Sequence, residues 1–353
     1  AAGGTGGHIY PGIAVAQEIK RRDGNSQVRF VGTARGLEGR LVPQAGFDLS
    51  LIDSSGLKNV SMVARARALA TLPKSFYDAL KLIRQFKPDV VVGAGGYVSG
   101  PVVLMAAFSN RPTLIMESNA LPGWTNRVLA RFVDRAAVSF EEALPFFRGK
   151  AEVTGNPVRH EFFEIQAKQR DPKRFSLLVF GGSQGARAIN EAMVAALGDL
   201  KSSPVLLQIK HQTGPADFDK VKKGYEDAGW GENADVSSYI DNMMGDFAKA
   251  DLVICRAGAT TTAELIAAGK AAVMIPFPLA ADDHQRKNAE ALQASGAAKM
   301  ILQKDLSGAV LAKQIINLAQ NPDEVSAMEQ ASRKLARGDA AVAAVNMIEK
   351  LAR

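Results

Sequence analysis

The chain has 353 residues, 47% hydrophobic and 22% charged, ordinary values for globular protein and enough length for two domains. Its 43 Lys and Arg against 36 Asp and Glu leave a net charge of +7, which favours anionic partners such as nucleotides or acidic lipid headgroups. A single cysteine, Cys255, excludes an intramolecular disulfide and fits a reducing compartment; no signal peptide, membrane-length apolar run or basic stripe with interleaved aromatics is present, so a spanning protein and a nucleic-acid binder are both disfavoured.

The opening AAGGTGGHIYPG is a Gly-rich turn leading into a helix whose start Pro11 marks. Such a turn is normally fed by a strand, so several native residues are expected ahead of Ala1. His8 stands at the mouth of this turn. A helix N-terminus pushes an imidazole, ordinarily near pKa 6.5, toward neutrality, as a general base requires; a turn-capping or phosphate-contacting role is the alternative. Strands follow at 28–32 (VRFVG), 49–52 (LSLI), 89–93 (DVVVG), 113–117 (TLIME) and 136–139 (AAVS), alternating with helical segments. Near-continuous apolar strands in that alternation predict a parallel sheet covered on both faces.

Between these strands lie further turns of interest. GAGGYVSG after the third strand presents Gly95, Gly96 and Tyr97, either an anion nest or a close-packed turn. Glu117-Ser118-Asn119 ends the fourth strand, and Arg159 follows TGNPV near a domain crossing, placed for phosphate or for an acid partner. Residues 57–84 mix Leu57, Val60, Met62, Val63, Leu69, Leu72 and Phe76 with Lys58, Arg65, Arg67, Lys74, Lys81 and Arg84. That pattern suits either an anionic membrane surface or an ordinary amphipathic helix on the first core.

The pattern restarts after Pro157 and a charged segment at 161–174, which reads as linker. Strands are predicted at 176–182, 205–209, 234–239, 251–255, 271–276 and 299–302. The expected fold class is α/β: two Rossmann-like doubly wound parallel-sheet domains facing across a cleft. Residues 1–157 form the first domain and 158–338 the second, with a last amphipathic helix at 339–353 that can pack back on the first. The richest stretch is RAGATTTAELIAAGKAAVMIPFPLAADDHQ at 256–285. Thr260, Thr261 and Thr262 can cap a helix starting near Ala263, and the turn's free N–H groups suit a diphosphate. Glu264, in the first helical turn, can accept from a ribose diol, and the loop carrying Asp282, Asp283, His284 and Gln285 can read sugar hydroxyls. Neither Gly-rich turn keeps G-x-G-x-x-G with its later acid, nor G-x-x-x-x-G-K-[ST], so no nicotinamide or P-loop cofactor is expected. Four histidines without a ligand motif give zinc no support, and adjacent Asp282 and Asp283 are ordinarily solvated.

AGGTGGHIYPG, GAGGYVSGPV, ESNALPGWTNR, TGNPVR, FGGSQGARAIN, HQTG, YIDNM and RAGATTTAELIAAG together resemble, in order and over nearly the whole chain, the MurG family of bacterial N-acetylglucosaminyltransferases. That resemblance implies two Rossmann-like domains of the glycosyltransferase B type without a tightly bound cofactor, and with Arg159 and helix N-termini to stabilise the departing diphosphate no metal is required. It also implies inverting transfer from UDP-N-acetylglucosamine to the C4 hydroxyl of an undecaprenyl-diphosphate-linked muramyl pentapeptide, peripherally on the cytoplasmic face of the bacterial plasma membrane. By matching motifs it assigns uracil to the Ile240 backbone, ribose to Glu264, and the diphosphate to Ser183 and the turn Ala259, Thr260 and Thr261, continued by Thr262 and Ala263. It places Arg159 near the donor, Gln285 at sugar hydroxyls, and Thr5, Gly6, Gly7 and Asn119 on the donor from the first domain. His8 matches the base, and Gly95, Gly96 and Tyr97 the acceptor diphosphate. The family's H-E-Q-N reads Met116-Glu117-Ser118-Asn119 here, its R-[AS]-G-A-L-T-V reads RAGATTT, and His284 stands where a second Gln can occur. These departures are expected to bear on donor recognition or acceptor geometry. Rival readings are a UDP-N-acetylglucosamine 2-epimerase and a non-catalytic nucleotide-sugar-binding subunit.

Overall fold

The computed structural model describes residues 1–3, 6–34, 36–54, 62–182, 184–280, 283–336 and 340–352. In chain order the first part runs α1 (Gly6–Arg22), β1 (Arg29–Gly32), α2 (Glu38–Gln44), β2 (Asp48–Leu51), α3 (Met62–Phe86), β3 (Val91–Gly93), α4 (Ser99–Phe108), β4 (Thr113–Glu117), α5 (Trp124–Leu129), β5 (Arg135–Val138) and β6 (Ala151–Val153). Then come β7 (Arg174–Phe180), α6 (Arg187–Leu200), β8 (Leu206–Gln212), α7 (Phe218–Asp227), β9 (Ala234–Ser237), α8 (Met243–Lys249), β10 (Leu252–Cys255) and α9 (Ala259–Ala268). The chain finishes with β11 (Ala272–Met274), α10 (His284–Ala294), β12 (Ala298–Met300), α11 (Gly308–Gln320), α12 (Pro322–Leu335) and α13 (Ala340–Ala352). It divides into two compact units, Ala1–Arg159 with Asp339–Arg353, and His160–Gly338.

In the first unit, β3-β4-β5-β6 form a parallel sheet and β1-β2 a parallel pair. All five residues of β4 are buried, which is why TLIME is apolar on both faces rather than alternating. The backbone of Ala1 and Ala2 links the two sheets: Ala2 N donates to Val31 O of β1 (3.2 Å), and Ala94 N, just past β3, donates to Ala1 O (2.8 Å). Beside these residues lies a cavity of about 610 Å³ lined by Val28 and Phe30 from one side, Val90 and Val92 from the other, and Ile348 of α13. Helix α13 packs Ala344, Val345, Met347 and Ile348 into the cluster that holds Ile9, Ile13 and Ala16 of α1. Arg22 fastens it by donating to Asn346 Oδ1 (2.7 Å), Glu349 Oε1 (3.0 Å) and Val342 O (3.2 Å).

In the second unit six parallel strands take the order β12-β11-β10-β7-β8-β9. The chain enters at β7, steps outward to β9, then returns to the other side of β7 as β10. The strand order therefore reverses between β7 and β10, and a crevice opens at their carboxyl ends. Phe175, Leu177 and Val179 of β7 pack against Ile189, Met193 and Leu197 of α6 on one face. On β7's last residue, Phe180 meets Phe247 of α8, which stands edge-on to Phe162 at 5.3 Å.

Four local expectations give way to tertiary packing. The supposed linker at 161–174 is docked on the second unit: Phe162 and Ile165 are buried, and Arg333 donates to Ile165 O at 3.2 Å. Strand β6 escapes notice because it spans three residues around an exposed Glu152. Helix α1 begins at Gly6, so Pro11 lies inside it rather than marking its start. Helix α9 begins at Ala259 rather than near Ala263, with Gly258 as its extended N-cap, so the threonines lie inside its first turns and Glu264 in the second.

Candidate functional site

Each unit presents its own cluster of turns at the carboxyl edge of its strands. In the first, His8 sits in the opening turn of α1 with its imidazole laid against the turn that follows β3. The contact requires glycine: a Cβ on Gly95 would stand 2.4 Å from His8 Nδ1, and φ of +102° there is a conformation that other residues avoid. Ser99 fixes this turn from within, its hydroxyl accepting from Gly95 N (3.1 Å) and lying 2.8 Å from Gly95 O and 3.0 Å from Ala1 O. Tyr97 turns its phenol to Thr33 Oγ1 at 3.2 Å, and Thr33 donates from both N and Oγ1 to the buried Glu38 (2.8 and 2.9 Å). Gly96 completes the turn. His8, Gly95, Gly96 and Tyr97 are thus brought together, as Gly6 and Gly7 are with His8 at the head of α1; Thr5 lies outside the described residues.

The loop after β4 is organised by a buried acid. Glu117 accepts from Asn119 N (2.9 Å), Asn119 Nδ2 (3.0 Å), Gly123 N (2.9 Å) and Asn126 Nδ2 (2.9 Å). Burial pushes its carboxyl pKa up, and those four hydrogen bonds pull against the rise. The backbone of Asn119 is fixed in this way. The two departures in this motif have local explanations: Met116 is buried among apolar side chains, and Ser118 donates to Asn156 Oδ1 at 2.9 Å. Arg159 is exposed at the end of the first unit.

In the second unit the register pairs Cys255 with Phe180, so the turn after β7 and the turn into α9 leave the sheet side by side at the strand-order reversal. The first of these is interlocked with the turn after β8. Gly185 adopts φ of +77°, and a Cβ on it would strike Thr213 O at 1.8 Å. Ser183, between them, lies outside the described residues. In α9, Thr260 Oγ1 and Thr262 Oγ1 are buried without a hydrogen-bond partner, so no threonine hydroxyl caps the helix. Ala259, Thr261 and Glu264 are half-buried beside them, and Ala263 is buried. The negative charge of Glu264 adds to the burial that raises the Cys255 thiol, which is inert for that reason.

The loop expected to read a sugar is partly helical: α10 begins at His284 after Asp283 in a left-handed conformation, and Asp282 lies outside the described residues. Gln285 accepts from Phe277 N through its side-chain oxygen (3.0 Å). Asn288 donates to Ala257 O (3.1 Å), and Arg256 donates to Ile275 O (3.1 Å), Pro276 O (3.2 Å) and Gln303 Oε1 (2.8 Å), tying this loop to the entry of α9. Ile240 is buried, and its N–H is donated to Gln212 Oε1 at 2.8 Å; the backbone group it keeps is the carbonyl. Glu38, Glu117 and Gln212 had no assigned role from sequence. Glu117 and Gln212 are each the last residue of a strand, a position that sequence can flag, whereas Glu38 opens α2 and carries no such signal.

Among the described residues no group of three His, Cys, Asp or Glu side chains is clustered to hold a metal ion, and no helix is long and apolar enough to cross a membrane.

The comparisons with known proteins agree on a class. The glycosyltransferase family 28 N-terminal domain matches residues 1–138, and the C-terminal domain of the same family matches residues 176–344. The chain is 47% identical, over 97% of its length and 89% of the relative's, to the UDP-N-acetylglucosamine--N-acetylmuramyl-(pentapeptide) pyrophosphoryl-undecaprenol N-acetylglucosamine transferase of Myxococcus xanthus. A crystal structure of Acinetobacter baumannii MurG superimposes with a TM-score of 0.83 at 33% identity, covering 99% of this chain and 98% of that one. The chain is a family 28 glycosyltransferase of the MurG family, with that family's two-domain α/β fold. A UDP-GlcNAc 2-epimerase from Neisseria meningitidis, at TM-score 0.69 and 14% identity over 99% of this chain and 98% of that one, shares the fold alone.

Proposed function

We propose that this chain transfers N-acetylglucosamine, with inversion, from UDP-N-acetylglucosamine to the C4 hydroxyl of an undecaprenyl-diphosphate-linked muramyl pentapeptide. The observation that carries the donor half is the pair of turns leaving β7 and β10 together at the strand-order reversal, where a nucleotide diphosphate is held in sheets of this topology. The acceptor half rests on the near full-length similarity to transferases named for that acceptor.

In the reaction, the acceptor oxygen attacks the anomeric carbon and gives its proton to the imidazole of His8, while the bond from that carbon to the UDP oxygen breaks. The departing diphosphate is stabilised by N–H groups at the head of α9 and in the β7 turn, a helix N-terminus contributing about 0.3 to 2 kcal/mol to a nearby anion, with Arg159 as a further cation. Glu264 takes the ribose, the Ile240 carbonyl the base, and Gln285 the sugar hydroxyls. Gly95, Gly96 and Tyr97 face the acceptor diphosphate. A lipid-linked acceptor requires work at a membrane surface, and exposed Tyr77 beside exposed Lys81 and Arg84 on α3 suits peripheral contact with an anionic leaflet on the cytoplasmic side; Leu57, Lys58 and Val60 of the same stretch lie outside the described residues.

The test is UDP release with a soluble lipid-linked muramyl acceptor, across donors differing in base and sugar. Release should depend on the acceptor and prefer UDP-N-acetylglucosamine, and His8→Ala should lower turnover by about 10² or more. Free N-acetylmannosamine formed without acceptor would overturn this reading in favour of an epimerase.

A further inference from the structure

Gln212 is the last residue of β8, 2% exposed, and its register neighbours are Phe180 on β7 and Ser237 on β9. Its side chain is therefore rooted between the two strands whose following loops are expected to hold the donor's diphosphate and its base. It reaches both. The amide Nε2 donates to Gly182 O at 2.9 Å, and Oε1 accepts the Ile240 N–H at 2.8 Å. Gly182 O also accepts from Gly185 N at 2.9 Å, so both lone pairs of that carbonyl are occupied and the β7 turn is held from two directions.

The chemistry of the bridge is narrow. It needs one donor and one acceptor on a single planar group at glutamine's length. Glutamate offers no donor to the Gly182 carbonyl, asparagine is one methylene short, and methionine fills the volume without making either bond. A purely architectural amide could have satisfied itself within one loop. This one joins two loops that share no other hydrogen bond among the described residues and that, on the function proposed above, contact different parts of one ligand.

We propose that Gln212 is a positioning residue that sets the spacing between the base-reading loop at Ile240 and the diphosphate turn at Gly182, so that nucleoside and diphosphate are recognised as one unit. It touches neither part of the ligand. Its effect is to let the second contact form in a geometry already fixed by the first, which is preorganisation rather than added contact.

Inhibition constants for uridine, pyrophosphate and UDP, together with KM and kcat for UDP-N-acetylglucosamine, separate this role from mere support. In Gln212→Met, UDP affinity should fall about tenfold or more and donor KM should rise in step, with kcat at saturation nearly unchanged. Uridine and pyrophosphate, each using one loop, should lose about twofold at most, because no group that touches them is removed. Gln212→Glu keeps the Ile240 bond and loses the Gly182 bond, so uridine should bind as in the parent while UDP weakens; this variant decides the matter should the methionine variant fold poorly. Equal weakening of all three ligands, or a lowered melting midpoint with unchanged UDP affinity, would overturn the proposal. A parent protein that binds UDP no better than other nucleoside diphosphates would instead sink the donor reading on which the proposal rests, and the two failures are distinguishable in the parent alone.

Discussion

The two units solve the same problem, holding turns still at the carboxyl edge of a parallel sheet, with different chemistry. In the first, buried carboxylates do it: Glu38 gathers Thr33 and through it Tyr97, and Glu117 gathers four donors around Asn119. In the second, amides and one guanidinium do it: Gln212 bridges two loops, Asn288 holds Ala257, Arg256 holds Ile275 O and Pro276 O, and Asn190 donates to Thr213 O (2.9 Å) while meeting His211 at 3.1 Å. That unit's buried charges lie at the opposite edge of its sheet, ahead of β7, β10 and β11. There Lys168 pairs with Asp251 (2.7 Å), Arg170 with Glu329 (2.7 Å), and Lys270, brought down by burial to about 8, donates to Ala250 O. Hydrogen-bonding capacity gives a reason. A buried carboxylate only accepts and so gathers backbone N–H groups, as at Thr33, Asn119 and Gly123, whereas an amide or guanidinium donates and so holds backbone carbonyls, as at Gly182, Ala257, Thr213 and Ile275.

The largest test of the contrast is Glu117→Ala. Removing the acid strands four donors, one buried and three part-buried, the buried one costing about 1–3 kcal/mol and the others less, so a net loss of about 3 kcal/mol is expected in thermal or urea unfolding. A loss no greater than that of an ordinary surface substitution would show that the first unit does not depend on its buried acid. Next, Gly95→Ala places a methyl against the His8 ring and strains the turn; turnover should fall about tenfold or more as the imidazole is displaced, whereas unchanged turnover would detach His8 from the chemistry.

The neutral network of the second unit makes a pH prediction. Burial brings His211 from 6.5 down to about 3, with Asn190 and Tyr225 within 3.1 Å of its ring nitrogens. Between those values the unfolded chain binds a proton that the folded chain refuses, so stability is intact above about pH 6.5 and falls as the pH drops toward 3, by about 1.4 kcal/mol per unit for one group. His211→Gln should flatten that acid limb; an unchanged slope would mean that His211 already carries its proton when folded. The smallest effect is expected at the surface pair Lys220–Glu191, whose partners are 71% and 54% exposed: Lys220→Ala should leave the unfolding midpoint within measurement scatter.

Much of this molecule is legible in its amino-acid sequence because the signals are local. Strands buried on both faces must be apolar throughout, so TLIME and DLVIC announce a parallel sheet. Glycines at 95, 96, 182 and 185 announce turns that a side chain would obstruct or strain, and the ordered motifs identify the family. What the sequence left open needed neighbours distant in the chain. The start of α9 depends on where β10 lets go, the docking of 161–174 depends on Phe247 eighty-odd residues on, and the roles of Glu117 and Gln212 depend on which backbone groups other strands bring within reach. A propensity is a property of a residue and its nearest companions, whereas a hydrogen-bond partner is a property of the folded arrangement. For that reason the sequence determined the elements and the family, and the tertiary structure decided which polar side chains hold the turns in place.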